Sequence, residues 1–379
     1  MGDCFGQYPF LDPSYDTDER YQKMCQQICA HSQWIRSVLI FNPLHQVNET
    51  HYEKAIATCS DDEYLKFWSI KDGHSIEKYR LGFMMNCLEE LFFREDGDKK
   101  QMFIIGGELG RLVIYDYSTK TIFKELAGSS RNILSVKVLP DKKDPLSKNS
   151  FVVSGNSQGE VRFWNWQKGI TIHRIKLGIQ PVQSLGVFNQ SKGVTTLVNS
   201  YEHKICVWSM NNKKIRKIRQ FEQHTNWVRS IMCETVKDLE NKNSKEIIIS
   251  AGDDNVIRFF DLKSGSCSKT LQIHTSGIIY IDILQNSLIS CESRGRIAIT
   301  HLDTMNTSYI ATGLCLDYYR GFSVEHNETD NQAYLCVIGS SPKKSSYHFL
   351  NVYKGKLIRN NVIFDLPTED KEKILEIEG

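Results

Sequence analysis

Two imidazole–carboxylate combinations invite a chemical reading, because a His beside a carboxylate is a common device for moving protons. His31 precedes Asp62, and His224 precedes Asp254. Each sits in copied text: HSQWIRSV (31–38) returns as HTNWVRSI (224–231), and SDDEYLKFWSIKDG (60–73) returns as GDDNVIRFFDLKSG (252–265). A His and an Asp repeated together with their apolar neighbours argue for a structural use rather than a catalytic dyad. Cys25, Cys29 and His31 offer a second possibility, a C-x3-C spacing with an imidazole that could hold zinc. Trp34 with Arg36, and Trp227 with Arg229, offer a third, recognition of a partner. No P-loop, Gly-rich dinucleotide turn, G-x-S-x-G or H-E-x-x-H occurs. The chain is therefore read as not an enzyme, with no catalytic residue, cofactor or small-molecule substrate expected.

What must position these residues is visible in seven short alternating runs. They are LKFW to Trp68, LVIY to Tyr115, VRFW to Trp164, ICVW to Trp208, IRFF to Phe260, IAITHL to Leu302 and YHFLNVY to Tyr353. The runs lie about 45–50 residues apart, close to a repeat period of ~40–45. Each is preceded by a second strand-like stretch, such as AIATCS or FVVSGN, and most of those by a third, such as WIRSVLIF or NILSVKVL. A turn such as KDG or QKG follows, then a fourth stretch such as SIEKYRL or ITIHRIKL. Period-2 alternation between turn residues specifies β-strands. Seven units of four strands predict an all-β fold, a seven-bladed propeller of four-stranded antiparallel blades over residues 21–364, whose radial closure limits open edges. An acidic arm (1–20) and an acidic tail (365–379) flank it. Ring closure falls either to a strand at about 21–28 or to KLIRNNVIF (356–364).

The units resemble WD40 repeats in pattern more than in letters. No unit opens on Gly-His, and the Trp-Asp position reads Trp68-Ser69, Tyr115-Asp116, Trp164-Asn165, Trp208-Ser209 and Phe260-Asp261. The resemblance implies a buried relay in which a turn carboxylate holds a His ring, the ring holds a hydroxyl, and the hydroxyl receives an indole N–H. Those roles fall on Asp62, His31, Thr58 and Trp68 in unit one. In unit five they fall on Asp254, His224 and Ser250, and stop there because Phe260 has no N–H to give. Where the turn position is Leu109, Gln158, Glu202 or Arg294, the relay is expected to be absent or incomplete. A satisfied polar network stiffens its surroundings, so units one and five are expected to be the stiffest. With His31 in the relay, no metal is expected at Cys25 and Cys29.

The resemblance also places the start of each first strand, and the residue before the turn carboxylate, on one rim, the top face. That collects Trp34, Arg36 and Asp61 with Trp227, Arg229 and Asp253. The other units add Asn86 and Glu108, Asn132 and Ser157, Tyr201, and Ser293. One reading is a partner-binding face, since Trp, Tyr and Arg dominate binding hot spots. The other is that the Trp side chains cover strand ends and each Arg pairs with a nearby Asp. Polar stretches between first and second strands, REDGDKKQ (94–101) among them, are read as loops on the opposite face, which stays open as a docking surface. Ubiquitin-ligase receptors of this family often carry Arg three residues after the closing aromatic. Here Lys71, Ser118, Gln167, Asn211 and Lys263 stand there, against that role.

Charge is uneven. The net charge is +2, yet residues 168–219 hold ten Lys and Arg against Glu202 alone. The densest part holds Lys213, Lys214, Arg216, Lys217 and Arg219, on an expected outermost strand. Such cations either guard an edge against strand pairing or form a flank for nucleic acid or an acidic protein tail. The 11 cysteines form no framework, and no apolar run approaches the ~18 residues of a membrane helix. The start MGDCFG departs from the acylation pattern at Gly6. The expectation is a cytoplasmic or nuclear scaffold or complex subunit that binds protein partners and no membrane. The alternative is a nucleic-acid or ribonucleoprotein-associated protein using the basic flank.

Overall fold

The computed structural model describes residues 25–44, 54–126, 128, 130–141, 144, 146–189, 195–211, 214–237, 244–311, 322–327, 332–340, 348–358 and 361–364. Residues 1–20, Lys192, Lys213 and residues 365–379 lie outside them. Six four-stranded antiparallel sheets follow one another, each with its strands in chain order. They form blades 1 to 6 over residues 35–80, 85–126, 133–176, 185–221, 228–271 and 278–311. Blade 7 joins Phe322–Asn327, Gln332–Ser340 and His348–Ile358 to the N-terminal strand Cys25–His31. Of the two segments considered for closure, Cys25–His31 lies on one edge of the strand His348–Ile358, whereas KLIRNNVIF supplies the end of that strand (356–358) and the strand Asn361–Phe364 on the same edge. Cys25–His31 pairs along 348–353, and Asn361–Phe364 pairs along 355–358. The first strand closes the ring, and the last extends the same edge.

The core is a ring of clusters in the seams between blades. Val38, Ile40 and Trp68 of blade 1 pack against Cys336, Ile338 and Leu350 of blade 7. Phe41 and Phe67 pack against Phe103, Tyr115 and Tyr117 of blade 2. Middle strands are covered on both faces, so Ala55–Ser60 is buried throughout, whereas the outer strand Ser75–Arg80 alternates and stays half-exposed. Side chains on the inner strands stitch neighbouring blades together. Asn86 donates to the Ile133 carbonyl (3.0 Å) and Ser135 to that of Val182 (3.1 Å). The Oγ atoms of Ser184, Ser230 and Ser323 accept from the amides of Ile231, Ile281 and Ile40 at 3.0, 3.2 and 3.1 Å.

Two bulges recur at fixed register. On the inner strand the extra residue is Arg36, Asn86, Leu134, Arg229 or Ile279, in blades 1, 2, 3, 5 and 6. On the outer strand it is Ile76, Phe123, Ile172, Ile218 or Ser268, in blades 1 to 5. A bulge re-aims one side chain and increases local twist. One sequence expectation is corrected: REDGDKKQ is not a loop. Arg94 and Glu95 end the strand Met85–Glu95, and Asp98 begins Asp98–Gly107. Only Asp96 and Gly97 turn between them, at φ +52° and +94°. The hairpin tip is held by blade 3, where Lys148 pairs with Glu95 and the Arg94 amide donates to the Leu146 carbonyl (2.7 Å).

Candidate functional site: the rim where inner strands begin

One backbone hydrogen bond builds this rim in five blades. The amide that opens the turn between second and third strands donates to the carbonyl just before the inner strand. The pairs are Asp61 to Trp34 (3.0 Å), Glu108 to Met84 (2.9 Å), Ser157 to Asn132 (2.9 Å), Asp253 to Trp227 (2.9 Å) and Ser293 to Gly277 (3.0 Å). Trp34 and Asp61, Asn132 and Ser157, and Trp227 and Asp253 are thereby brought side by side. Tyr201 ends the strand Thr195–Tyr201 and is half-buried.

Arg36 and Arg229 are bulge residues, which turns their side chains toward the rim instead of along the pleat. Each guanidinium grips the turn carboxylate with two nitrogens. Arg36 Nε donates to Asp61 Oδ1 (2.9 Å) and Arg229 Nε to Asp253 Oδ1 (3.0 Å), and each terminal nitrogen donates to Oδ2 at 2.5 Å. Paired in this way, the charges are fixed in position and largely neutralised. The two Trp rings differ. Trp34 leans on the buried His348 of blade 7 (centroids 5.0 Å apart) and stays 40% exposed. Trp227 lies under its own Arg229 (5.5 Å).

Three rim residues escaped the sequence reading. Met84 is the blade 2 equivalent of Trp34 and is 42% exposed. Ile179, between blades 3 and 4, is 77% exposed. Leu109 occupies the place of Asp62 and Asp254, with φ +52° and its side chain 72% exposed. Its amide is held by Asn132 Oδ1 (3.1 Å), and Glu108 Oε1 accepts from the Met84 amide (3.1 Å). The available signal was an apolar letter where a turn carboxylate was expected.

The imidazoles form relays. His31 Nδ1 lies 2.9 Å from Asp62 and Nε2 2.8 Å from Thr58 Oγ1, which also accepts from Trp68 Nε1 (2.8 Å). In blade 5, His224 bridges Asp254 (2.9 Å) and Ser250 (2.7 Å), beside Phe260. Blade 6, where Arg294 left the relay expected to be absent or incomplete, holds it in part, with Thr300 at the place of Trp68 and so no indole N–H. There His274 bridges Glu292 (3.2 Å) and Ser290 (2.7 Å). Glu292 stands two residues before the usual position, and its extra methylene spans the difference. Burial opposes the Asp62 charge, but bonds from His31 and the amides of Ser32 and Tyr64 outweigh it, so the carboxyl sits well below its ordinary range. Burial pulls His31 and His274 down, favouring neutral rings despite their carboxylate partners.

A family model described as WD domain, G-beta repeat matches residues 22–69. The chain is similar to Nuclear distribution protein nudF of Aspergillus niger, 28% identical over 128 residues, covering 34% of this chain and 27% of that protein. It is 23% identical over 129 residues to Nuclear distribution protein PAC1 of Arthroderma otae, covering 34% and 28%. The matched stretch thus spans only 27–28% of these relatives' length. Among solved structures, the WD40 beta propeller domain of Doa1 shares the fold with a TM-score of 0.61 at 18% identity, covering 87% of this chain and 95% of that one. This chain has the fold of a WD40-type β-propeller.

Two further features of the WD40 propeller bear on function. A central cavity of about 270 Å³ is lined by inner strands of blades 1 to 6, and the pair Lys137–Glu89 (2.8 Å) sits in its wall. The basic residues Lys214, Arg216, Lys217 and Arg219 lie on the outermost strand of blade 4, away from the rim. Among the described residues, no group of three or more His, Cys, Asp or Glu is placed to hold a metal ion. No described helix is long and apolar enough to cross a membrane.

Proposed function

We propose that this propeller is a non-catalytic scaffold, a subunit of a multiprotein complex that takes a protein partner on the strand-start rim. The carrying observation is the display of large apolar side chains there: Trp34, Met84, Leu109 and Ile179, each 40% or more exposed. Single exposed apolar residues are ordinary. Here, however, Trp34 and Met84 occupy equivalent rungs of adjacent blades, and Leu109 is held outward in a backbone conformation that a branched side chain avoids. Apolar anchors beside fixed ion pairs are the composition of a protein interface, with a desolvated centre and a polar surround. The cytoplasm or nucleus suits such a partner-binding role.

The test combines Trp34→Ala with Leu109→Asp in the full chain and compares co-purifying proteins by quantitative mass spectrometry. At least one partner is expected to fall by about tenfold or more, with the melting curve little changed. Retention of every partner by a well-folded variant would sink the reading.

A further inference from the structure

The outermost strand of blade 4, Lys214–Phe221 (KIRKIRQF), carries four cations in eight residues. Other described outer strands carry at most two Lys or Arg each; there Arg80 pairs with Glu63 at 2.8 Å and Arg174 with Glu160, while Lys78, Lys124, Lys176 and Lys269 form no ion pair among the described residues. Among the described residues, Lys214, Arg216, Lys217 and Arg219 form no ion pair; the nearby Glu222 pairs with Lys204. Lys217 donates to Gln220, and Arg219 reaches the carbonyls of Ser264 and Lys263 in the blade 5 turn, at 3.4 and 3.3 Å. Guarding the edge does not account for this concentration. The bulge at Ile218 already disrupts pairing there, as Ile76, Phe123, Ile172 and Ser268 do in blades 1, 2, 3 and 5.

Register aligns Lys214, Arg216 and Arg219 with Asn211, Ser209 and Val207, on the face turned to blade 5, where Val207 packs with Phe260. The exposed Lys263 adds a charge beside Arg219. Alternate residues of a strand stand about 6.6–6.8 Å apart, so Lys214 and Arg216 match carboxylates at alternate positions of an extended chain. Ile218, 51% exposed, sits among the charges. An aliphatic surface there suits a peptide better than bare phosphodiester. The aromatics beside the strand, half-buried Trp208 and buried Phe221, offer no open platform for base stacking. We propose that this strand and the adjoining blade 5 turn dock an extended acidic segment of a partner protein, with an aliphatic side chain on Ile218 and carboxylates on Lys214, Arg216 and Arg219.

The test titrates a fluorescein-labelled peptide of alternating glutamate and leucine with the full chain, by anisotropy, beside a labelled oligouridine. Peptide affinity is expected to fall about tenfold in Lys214→Glu/Arg216→Glu, several-fold in Ile218→Ser, and steadily with added salt. Trp34→Ala, which alters the rim, is expected to leave it unchanged, so failure here and failure of the rim reading are separable. If the charge reversal fails to fold, Lys214→Gln/Arg216→Gln gives the same comparison. Three outcomes overturn the proposal: no peptide binding, binding unaffected by these variants, or oligouridine bound more tightly than peptide and indifferent to Ile218→Ser.

Discussion

Leu109 concentrates at one position the tension between folding and display. Its left-handed backbone suits Asn or Gly better than Leu, and its side chain is 72% exposed. Leu109→Asn is therefore expected to raise stability by about 0.5–1 kcal/mol while weakening the rim partner, a combination read from melting curves alongside binding. Titratable residues give opposing trends with pH. His31 and His274 have lowered pKa values in the fold, so the unfolded chain takes up their protons first and stability falls as pH drops below about 6.5. Asp62 and Glu292, also lowered, extend the loss further into acid. Glu90 has the opposite sign. Burial pushes it up to about 7, and it accepts from Gln101 Nε2. Its contribution is intact below about pH 4.5 and lost as pH rises through 7. Glu90→Gln should stabilise by about 1–3 kcal/mol at pH 8 and progressively less toward pH 5, in melts at matched ionic strength.

Bulges and seam bonds decide what the strands can do. Two residues of one pleated strand cannot both face the core and reach the rim, and the inner-strand bulge frees Arg36 and Arg229 from that alternation. The seam serines make a cleaner experiment. Ser230 accepts the Ile281 amide, so Ser230→Ala strands a buried N–H and should cost about 1–3 kcal/mol. Ser37 is equally buried and its Oγ has no hydrogen-bond partner among the described residues. Ser37→Ala should be near neutral, and an equal loss in the two variants would discredit the seam argument. Relays also grade the blades. Among the described residues, three relays carry a His, while blade 3 keeps only Trp164 on Ser154 (2.9 Å) and blade 4 only Trp208 on Asn199 (2.8 Å). Amide exchange should therefore be slowest in blade 1 and slow in blades 5 and 6, with blade 6 refining the expectation from the repeated letters alone.

At the scale of the ring, His31 carries two duties. Its backbone ends the strand that completes blade 7, while its side chain bonds Asp62 and Thr58 in blade 1. The relay is thus a clasp between the first and last blades. His224 follows the outer strand of blade 4 and clasps blade 5 in the same way, but at a continuous stretch of chain. His31→Ala should release the closing strand and broaden unfolding. His224→Ala should lower the midpoint, with cooperativity kept. Scanning calorimetry distinguishes them, and identical profiles would refute the clasp.

Seven alternating units, six of them ending in aromatics, together with turn residues, determined an all-β propeller. They did so because pleat and repeat period are local properties carried by side-chain type. The His31–Asp62 and His224–Asp254 partnerships were expected because the WD40 resemblance implies the relay, and the copied stretches place a His and a turn Asp at nearly equal separations, 31 and 30 residues. Three things were decided only by the assembled sheets: the bulges that aim Arg36 and Arg229, the reach of Glu292 to His274, and the outward turn of Leu109. Each depends on one residue's backbone relative to a neighbouring strand, and that is fixed by pairing register and seam packing. Repetition in the letters reports what the blades share, whereas the exposed rim is made by the places where they differ.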